Sequence, residues 1–358
     1  MKILVTGASG FIGSFIIGEG LQRGHEMWAG VRRSSSRQYL QYPRTRFAEL
    51  DLSDTGRLTA QLLALKAGMG DAGWDYVIHA AGATKSLHRE GFFRTNTEGT
   101  QHLVEALRAA DMMPRRLVFI SSLSVFGAIK ETENPGNAQT DTSGSSMLTS
   151  QLYPSITAED APQPNTAYGE SKLAAERWLQ TQTDVPWVIL RPTGVYGPRE
   201  RDYFLMAQSI KQHVDFAVGY KPQEITFVYV KDVVQAVFLA CERPGAAVLH
   251  HAYFLSDGRS YNSRAFSDLL QKEMGVRHVL HIKAPLWFLR AVCAVNGTVC
   301  RWMGKLTTLN MDKYHILSQR NWNCDIGPAR SELGFDPQWP LERGVPETVA
   351  WYKQEGWL

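Results

Sequence analysis

The sequence predicts an α/β protein, a doubly wound parallel sheet followed by a smaller mixed α/β C-terminal region. Three observations carry this. A short apolar strand, Ile3–Val5, runs into a glycine-rich turn and a helix within the first thirteen residues, MKILVTGASGFIG. Apolar β-type runs then alternate with helical periodicity as far as about residue 191, the pattern of strand–helix–strand units. Beyond that point the alternation loosens into shorter, mixed elements.

Each element has its own signal. Gly7, Gly10 and Gly13 stand three apart in the first turn. Glycine there lets backbone approach a ligand, and the helix that begins at Phe11 offers free amides and a positive dipole end to a pyrophosphate. Phe11, Ile12, Phe15, Ile16 and Leu21 make that helix's apolar face, and Gly24 ends the turn after it. His25–Val31 reads as the second strand and Arg46–Leu50 as the third, which leads into Asp51-Leu52. A helix follows through Leu58, Leu62 and Leu65, then a fourth strand, Tyr76–His79, entering Ala80-Ala81-Gly82, where small side chains leave room for an adenosine. The next helix is expected over Thr97–Ala110 with Asn96 as its N-cap. Leu117–Ser121 is the fifth strand; Glu131–Ser150, rich in Asn, Thr, Ser and Gly, reads as a long loop, a lid or disordered. Tyr168–Leu179 is a helix and Trp187–Leu190 the sixth strand. Later come a helix over Asp202–His213, a strand over Ile225–Val230, a helix over Val233–Cys241, short strands at Tyr253–Leu255 and His278–Ile282, and a last helix over Leu341–Gln354. The expected division is a dinucleotide-binding domain over residues 1–191 and a mainly substrate-binding domain over 192–358, with the helix at 233–241 packing back on the first.

Composition narrows the function classes. A net charge of +3 over 358 residues argues against nucleic acid as a partner. Four cysteines (Cys241, Cys293, Cys300, Cys324) form no CxxC and no ligand-like pairing with histidine, so a reducing compartment and no metal are expected. No signal peptide is visible, and a cytoplasmic location is expected. Pro285–Met303 is apolar and rich in Trp, but Arg290, Asn296 and Arg301 make it too polar for a spanning helix. It is expected to be buried or to line a groove, with Cys293 and Cys300 on one face; the alternative is a helix lying on a membrane.

Two features point to chemistry. Where a dinucleotide-binding unit often carries an acidic residue for the ribose diol, the second strand ends in Arg32-Arg33-Ser34. Guanidiniums suit a 2′-phosphate, so NADP is expected over NAD. Tyr168 and Lys172, four apart on a helix, share a face. A tyrosine acting as a base near neutrality needs its pKa lowered by about 3 units, and a neighbouring ammonium, with the positive nicotinamide ring of an oxidised cofactor, has the right sign.

The ordered set TGASGFIG (Thr6–Gly13), HAAG (His79–Gly82), SSLSVFG (Ser121–Gly127), YGESK (Tyr168–Lys172), RPTGVYGP (Arg191–Pro198) and YVKDVVQA (Tyr229–Ala236) closely resembles the extended short-chain dehydrogenase/reductase family, over nearly the whole chain. The resemblance implies a Rossmann fold and hydride exchange at a secondary alcohol or ketone. In it Tyr168 is the general acid/base, Lys172 binds the nicotinamide ribose and lowers the tyrosine pKa, and Ser122 holds the substrate oxygen. Ser121 and Ser124 are nearby alternatives. Gly7, Ser9, Gly10, Phe11, Ile12, Gly13, Arg32, Arg33, Asp51, Leu52, Ala80, Ala81, Gly82, Lys172, Pro192 and Val195 would contact the dinucleotide, the last two flanking its carboxamide. A homodimer through the helices at Asn96–Ala110 and Tyr168–Leu179 is also implied.

Departures from the family's patterns refine this reading. Leu123-Ser124 stands where the sugar 4,6-dehydratases carry an Asp-Glu pair, so water loss is not expected. Gly194 stands where nucleotide-sugar epimerases usually carry Asn. The expected function is an NAD(P)-dependent oxidoreductase of a small carbonyl or alcohol; the alternatives are a nucleotide-sugar epimerase with retained NAD and a non-catalytic dinucleotide sensor.

Overall fold

The computed structural model describes residues 1–70, 72–134, 152–305, 307 and 309–358; most of the expected loop at Glu131–Ser150 lies outside the described residues. The chain opens as β1 (Lys2–Thr6), α1 (Phe11–Gln22), β2 (Glu26–Val31), β3 (Arg46–Glu49), α2 (Thr55–Gly68) and β4 (Tyr76–His79). It continues with α3 (Arg89–Phe93), a π-helical turn at Arg94–Glu98, α4 (Gly99–Ala109), β5 (Arg116–Ile120), α5 (Ala167–Gln180) and β6 (Trp187–Pro192). Then follow β7 (Gly194–Tyr196), α6 (Asp202–Lys211), β8 (Val214–Val218), β9 (Glu224–Ile225), β10 (Phe227–Tyr229), α7 (Val230–Glu242) and β11 (His251–Leu255). The last elements are β12 (Tyr261–Asn262), α8 (Ala265–Met274), β13 (Leu280–Ala284), α9 (Leu286–Trp302), α10 (Met311–Ser318) and α11 (Leu341–Gln354).

The main sheet has seven parallel strands in the order β11-β6-β5-β4-β1-β2-β3. Strands buried on both faces read as continuous apolar runs, as Ile3–Val5 and Leu117–Ile120 do. Strand order reverses between β1 and β4, and a ligand crevice opens at the carboxyl ends on either side of such a reversal. Tyr253–Leu255, expected as an isolated short strand, is the end of β11, which pairs with β6 from Val188 to Pro192. The alternation broke down there because the connection between the two strands carries β7 to β10 as well as two helices, α6 and α7.

Two further expectations need correction. Ile225–Val230 is not one strand: β9 pairs with β12, β10 pairs with β7, and Val230 already opens α7. The helix expected to start at Thr97 starts eight residues earlier and passes through the π turn, so Asn96 lies inside it.

Helix α7 packs against α1, β5 and β6. Its C-terminal end is held by Arg116 of β5, whose guanidinium donates to the carbonyls of Ala240, Cys241, Arg243 and Gly245 at 2.5–3.0 Å. A buried cation there satisfies carbonyls that have no partner in the helix and complements its negative end.

Behind the crevice His79 is fully buried and bridges β1 to α4. Nδ1 lies 2.6 Å from Thr6 Oγ1 and Nε2 lies 3.0 Å from Thr100 Oγ1. The Thr100 hydroxyl donates to Asn96 O at 2.7 Å, so Nε2 carries the proton and Nδ1 accepts from Thr6. Burial, with the Lys172 ammonium nearby, drops the imidazole pKa to about 3. An unfolded chain binds that proton below about 6.5 and the folded chain does not, so stability is lost as pH falls through 6.5. Urea titrations should show the His79 contribution falling by about 2 kcal/mol between pH 7.5 and 5. A His79→Gln variant should lack that part of the slope; an unchanged slope would contradict the assignment.

Pro285–Met303, expected to be buried or groove-lining, forms α9. It buries Leu289 and Cys293, with Cys300 half-buried on the same face, but leaves Trp287 and Trp302 72% and 90% exposed. No helix among the described residues is long and apolar enough to cross a membrane.

Candidate active site

The glycine turn is shaped by close approach. A Cβ on Gly7, whose φ is +68°, would lie 2.6 Å from Ala81 Cα, and one on Gly13 would lie 2.3 Å from Gly7 O. The loops after β1 and β4 therefore touch at the strand reversal, bringing Ala80, Ala81 and Gly82 beside Gly7. Gly10 is different. It is exposed, a Cβ there would meet only Gly7 O at 3.1 Å, and it caps α1 without a side-chain hydrogen bond. No acidic residue lies in the first turn, so the positive end of α1, headed by the amides of Phe11 and Ile12, faces open space with Ser9 beside it. This is a cradle that an anion would fit.

Around the cradle, Arg32 and Arg33 are exposed just past β2. The Arg32 amide donates to Ser35 Oγ at 3.0 Å, and neither guanidinium has an acidic partner among the described residues. Asp51 and Leu52 follow β3 at the same edge. The Asp51 carboxylate accepts from Ser53 and Arg57, which hold its pKa below the usual carboxylate value, and Leu52 O takes a bond from His102 Nδ1 at 2.9 Å. Pro192 ends β6 in the sheet and Val195 lies half-buried in β7. The Thr193 amide between them is already bonded to Leu255 O at 3.0 Å.

Ser122, Tyr168 and Lys172 come together at the carboxyl end of β5. Thr166 caps α5 by accepting from the Gly169 amide at 3.0 Å, placing Tyr168 in the first turn. Gly169 is required there: a Cβ would lie 2.4 Å from Ser124 O, so only glycine lets α5 settle against the 122–124 turn. Ser122 caps that turn, accepting from the Ser124 amide at 3.1 Å and donating to Ser124 Oγ at 3.1 Å. Lys172 is 4% exposed; its Nζ donates to Ile120 O at 2.8 Å, lies 4.7 Å from the Phe119 ring centroid and faces Gly82. Ser121 is buried with its hydroxyl unpartnered among the described residues.

The protein's own groups supply only part of the expected electrostatics. Burial pushes the Tyr168 phenol up to about 12, and the neighbouring Ser122 hydroxyl pulls it partly back. Burial also lowers Lys172 to about 8, against the raising effect of Glu176. The protein's own groups do not bring the phenol towards neutrality. Desolvation is the largest cause of both shifts, and the Lys172 ammonium donates to Ile120 O.

Four residues of the site were not legible as such. Asn96 is buried and is no N-cap. Its side chain accepts from the Ala83 amide at 2.8 Å and donates to Ala83 O at 3.1 Å and Ser171 Oγ at 2.8 Å, tying the loop after β4 to α5. The π turn supplies the extra residue that rotates it inward. Glu176, buried one turn beyond Lys172, pairs with Arg191 of β6 at 2.6–3.2 Å; the i, i+4, i+8 series with Tyr168 and Lys172 was a usable signal. Arg199 has φ +77°, lies 4.5 Å from the Phe15 and Tyr39 ring centroids and donates to Ser14 Oγ at 2.9 Å, a turn beyond the Gly10 cradle. Nothing local marks it. Tyr203 fills the space in front of Gly194, where a Cβ would lie 2.5 Å from its hydroxyl. A cavity of about 330 Å³ lies between α3, the start of α5, and α9–α10; Phe92 lines it and meets the Tyr168 ring edge-on at 6.4 Å.

A doubly wound sheet with an anion cradle at its strand reversal, and a tyrosine–lysine–serine cluster beside it, defines a nicotinamide-dinucleotide enzyme. Residues 3–255 match the model of the NAD dependent epimerase/dehydratase family, and the chain belongs to that family, within the extended short-chain dehydrogenases/reductases. It is similar to 2-alkyl-3-oxoalkanoate reductase of Stenotrophomonas maltophilia (strain K279a), at 28% identity covering 98% of this chain and 99% of that one. It is also similar to 3-beta-hydroxysteroid dehydrogenase of Mycolicibacterium neoaurum, at 26% identity covering 98% and 91%. Among solved structures, dTDP-glucose 4,6-dehydratase from Bacillus anthracis str. Ames in complex with NAD shares the fold, with a TM-score of 0.71 at 17% identity covering 100% and 98%.

Proposed function

We propose that the chain is an NADPH-dependent reductase of an apolar ketone. The observation that carries this is the end of β2, where Arg32 and Arg33 present two exposed guanidiniums without an acidic partner and no carboxylate is available for a ribose diol. The dinucleotide, when bound, supplies the hydride. The chain's own work is to bind, orient and move a proton.

In this reading the α1 amides at Phe11 and Ile12 take the pyrophosphate, with Gly7, Ser9, Gly10 and Gly13 giving the approach. Asp51, Leu52 and Ala80–Gly82 lie along the adenosine side, and Pro192 and Val195 along the carboxamide. Arg199 sits beside a helix N-terminus, where a cation is unfavourable until an anion joins it. Lys172 holds the nicotinamide ribose, exchanging Ile120 O for a ribose hydroxyl. Ser122 holds the ketone oxygen and Tyr168 protonates it. A phenol at about 12 is a proper resting state for an acid that must carry its proton at neutral pH.

Tyr203 supports a reductase over a nucleotide-sugar epimerase, since its hydroxyl occupies the room an asparagine at 194 would need. Two relatives named for a 3-oxoalkanoate and a hydroxysteroid support an apolar ketone. The cofactor unit would comprise residues 1–191 together with α7 and β11, and α4 and α5 would carry a homodimer contact.

The test is NADPH and NADH oxidation across aliphatic, steroid, flavonoid and nucleotide-sugar carbonyls. Net NADPH consumption is expected, and Arg32→Ala/Arg33→Ala should lower kcat/KM for NADPH about 10- to 100-fold with little effect on NADH. Purified protein that retains NAD and interconverts a nucleotide sugar without net consumption would overturn the reading.

A further inference from the structure

We propose that α9 and the strand before it dock on an anionic lipid surface. Helix α9 is turned inside out: Leu289 and Cys293 face the protein, while Trp287, Phe288, Val295, Val299 and Trp302 face solvent, none less than 46% exposed. Over 17 residues this is an apolar ridge about 25 Å long. The paired strands β8 and β13 extend it through Phe216 and Leu280, exposed at 62% and 64% and on one face of the pair in alternate register positions, and Tyr220 follows β8 at 70%. Isolated exposed apolar residues are ordinary; a contiguous aromatic ridge is not.

Charge selects the occupant. No Asp or Glu occurs between Glu273 and Asp312, whereas Arg277, Lys283, Arg290, Arg301 and Lys305 all do, a local charge of +5 in a chain whose total is +3. Of the acidic groups packed nearby, Asp215 of β8 is buried and held by His281 at 3.1 Å. Asp312 lies at the start of α10. Two copies meeting through this face would oppose like charges. Aromatic side chains flanked by arginine and lysine suit the headgroup layer of an anionic bilayer, into which such a helix sinks its apolar face without crossing.

The inner side of α9 borders the cavity lined by Phe92, through Gly297 and, just after the helix, Lys305. If the ketone reading holds, a substrate dissolved in the bilayer meets the cavity mouth without entering water; the docking itself does not depend on that reading.

The experiment is co-sedimentation of the full chain with vesicles of phosphatidylcholine, pure or containing about a third phosphatidylglycerol. Binding to the anionic vesicles is expected, weaker to the neutral ones and weakened by salt. Lys283→Gln and Arg290→Gln should each lower it about fivefold, and Trp287→Ser/Trp302→Ser about tenfold. Far-UV circular dichroism and urea unfolding of these surface variants report that they remain folded. Absence of binding to either vesicle, or binding untouched by the tryptophan pair, would overturn the proposal. So would lipid-free self-association that the tryptophan pair abolishes, which would assign the face to a second copy. No substrate enters the assay, so its outcome and that of the NADPH screen stand apart.

Discussion

Tyr168→Phe should lower kcat for ketone reduction by about 10²- to 10⁴-fold while NADPH binding is kept, as fits loss of one positioned proton donor. Phenylalanine preserves the ring that meets Phe92 and removes only the hydroxyl that Ser122 engages. Single-turnover reduction with NADPH binding followed by fluorescence separates the two effects, and a variant with full activity would end the assignment. The pH profile of the parent enzyme carries a second signature. Tyr168, at about 12, keeps its proton throughout the working range, so it sets no alkaline limit on reduction. Lys172, at about 8, does. Its ammonium is present below pH 8 and lost above, so kcat/KM should fall as pH rises through 8 and level off below it.

Glu176→Gln should lower the unfolding free energy by about 3–5 kcal/mol, because it strands the Arg191 guanidinium at 6% exposure without a counter-charge. Urea denaturation measures this. The pair Glu176→Gln/Arg191→Met should recover much of the loss, since removing both charges is cheaper than removing one. If the single and double variants are equally unstable, the coupling is absent. The same substitution reaches the chemistry: Glu176 is the group that holds the Lys172 pKa up, so the alkaline limb should move to lower pH in Glu176→Gln.

Much of the frame was legible because it rests on local signals. The strand–glycine turn–helix at the N-terminus, the alternation of β1 to β6 with their helices, and the i, i+4 placement of Tyr168 and Lys172 each depend on residues close in sequence. Where elements depend on distant partners, local reading failed. Tyr253–Leu255 looked like a minor strand because its partner, β6, lies some sixty residues earlier. Asn96 looked like a helix cap because capping is the commonest local use of asparagine, and only the approach of Ala83 and Ser171 gives it another.

The sequence by itself determined the doubly wound sheet, the glycine turn at its first strand and the family, because periodicity, glycine spacing and ordered motifs are properties of the chain alone. The tertiary structure decided the rest. It fixed how far burial moves the Tyr168 and Lys172 pKa values, since desolvation depends on everything packed around a group. It paired Glu176 with Arg191, set Tyr203 against Gly194, and turned the apolar face of α9 outward. Hydrophobic periodicity marks which residues share a helix face, but whether that face meets the core or the solvent is settled only by what packs against it.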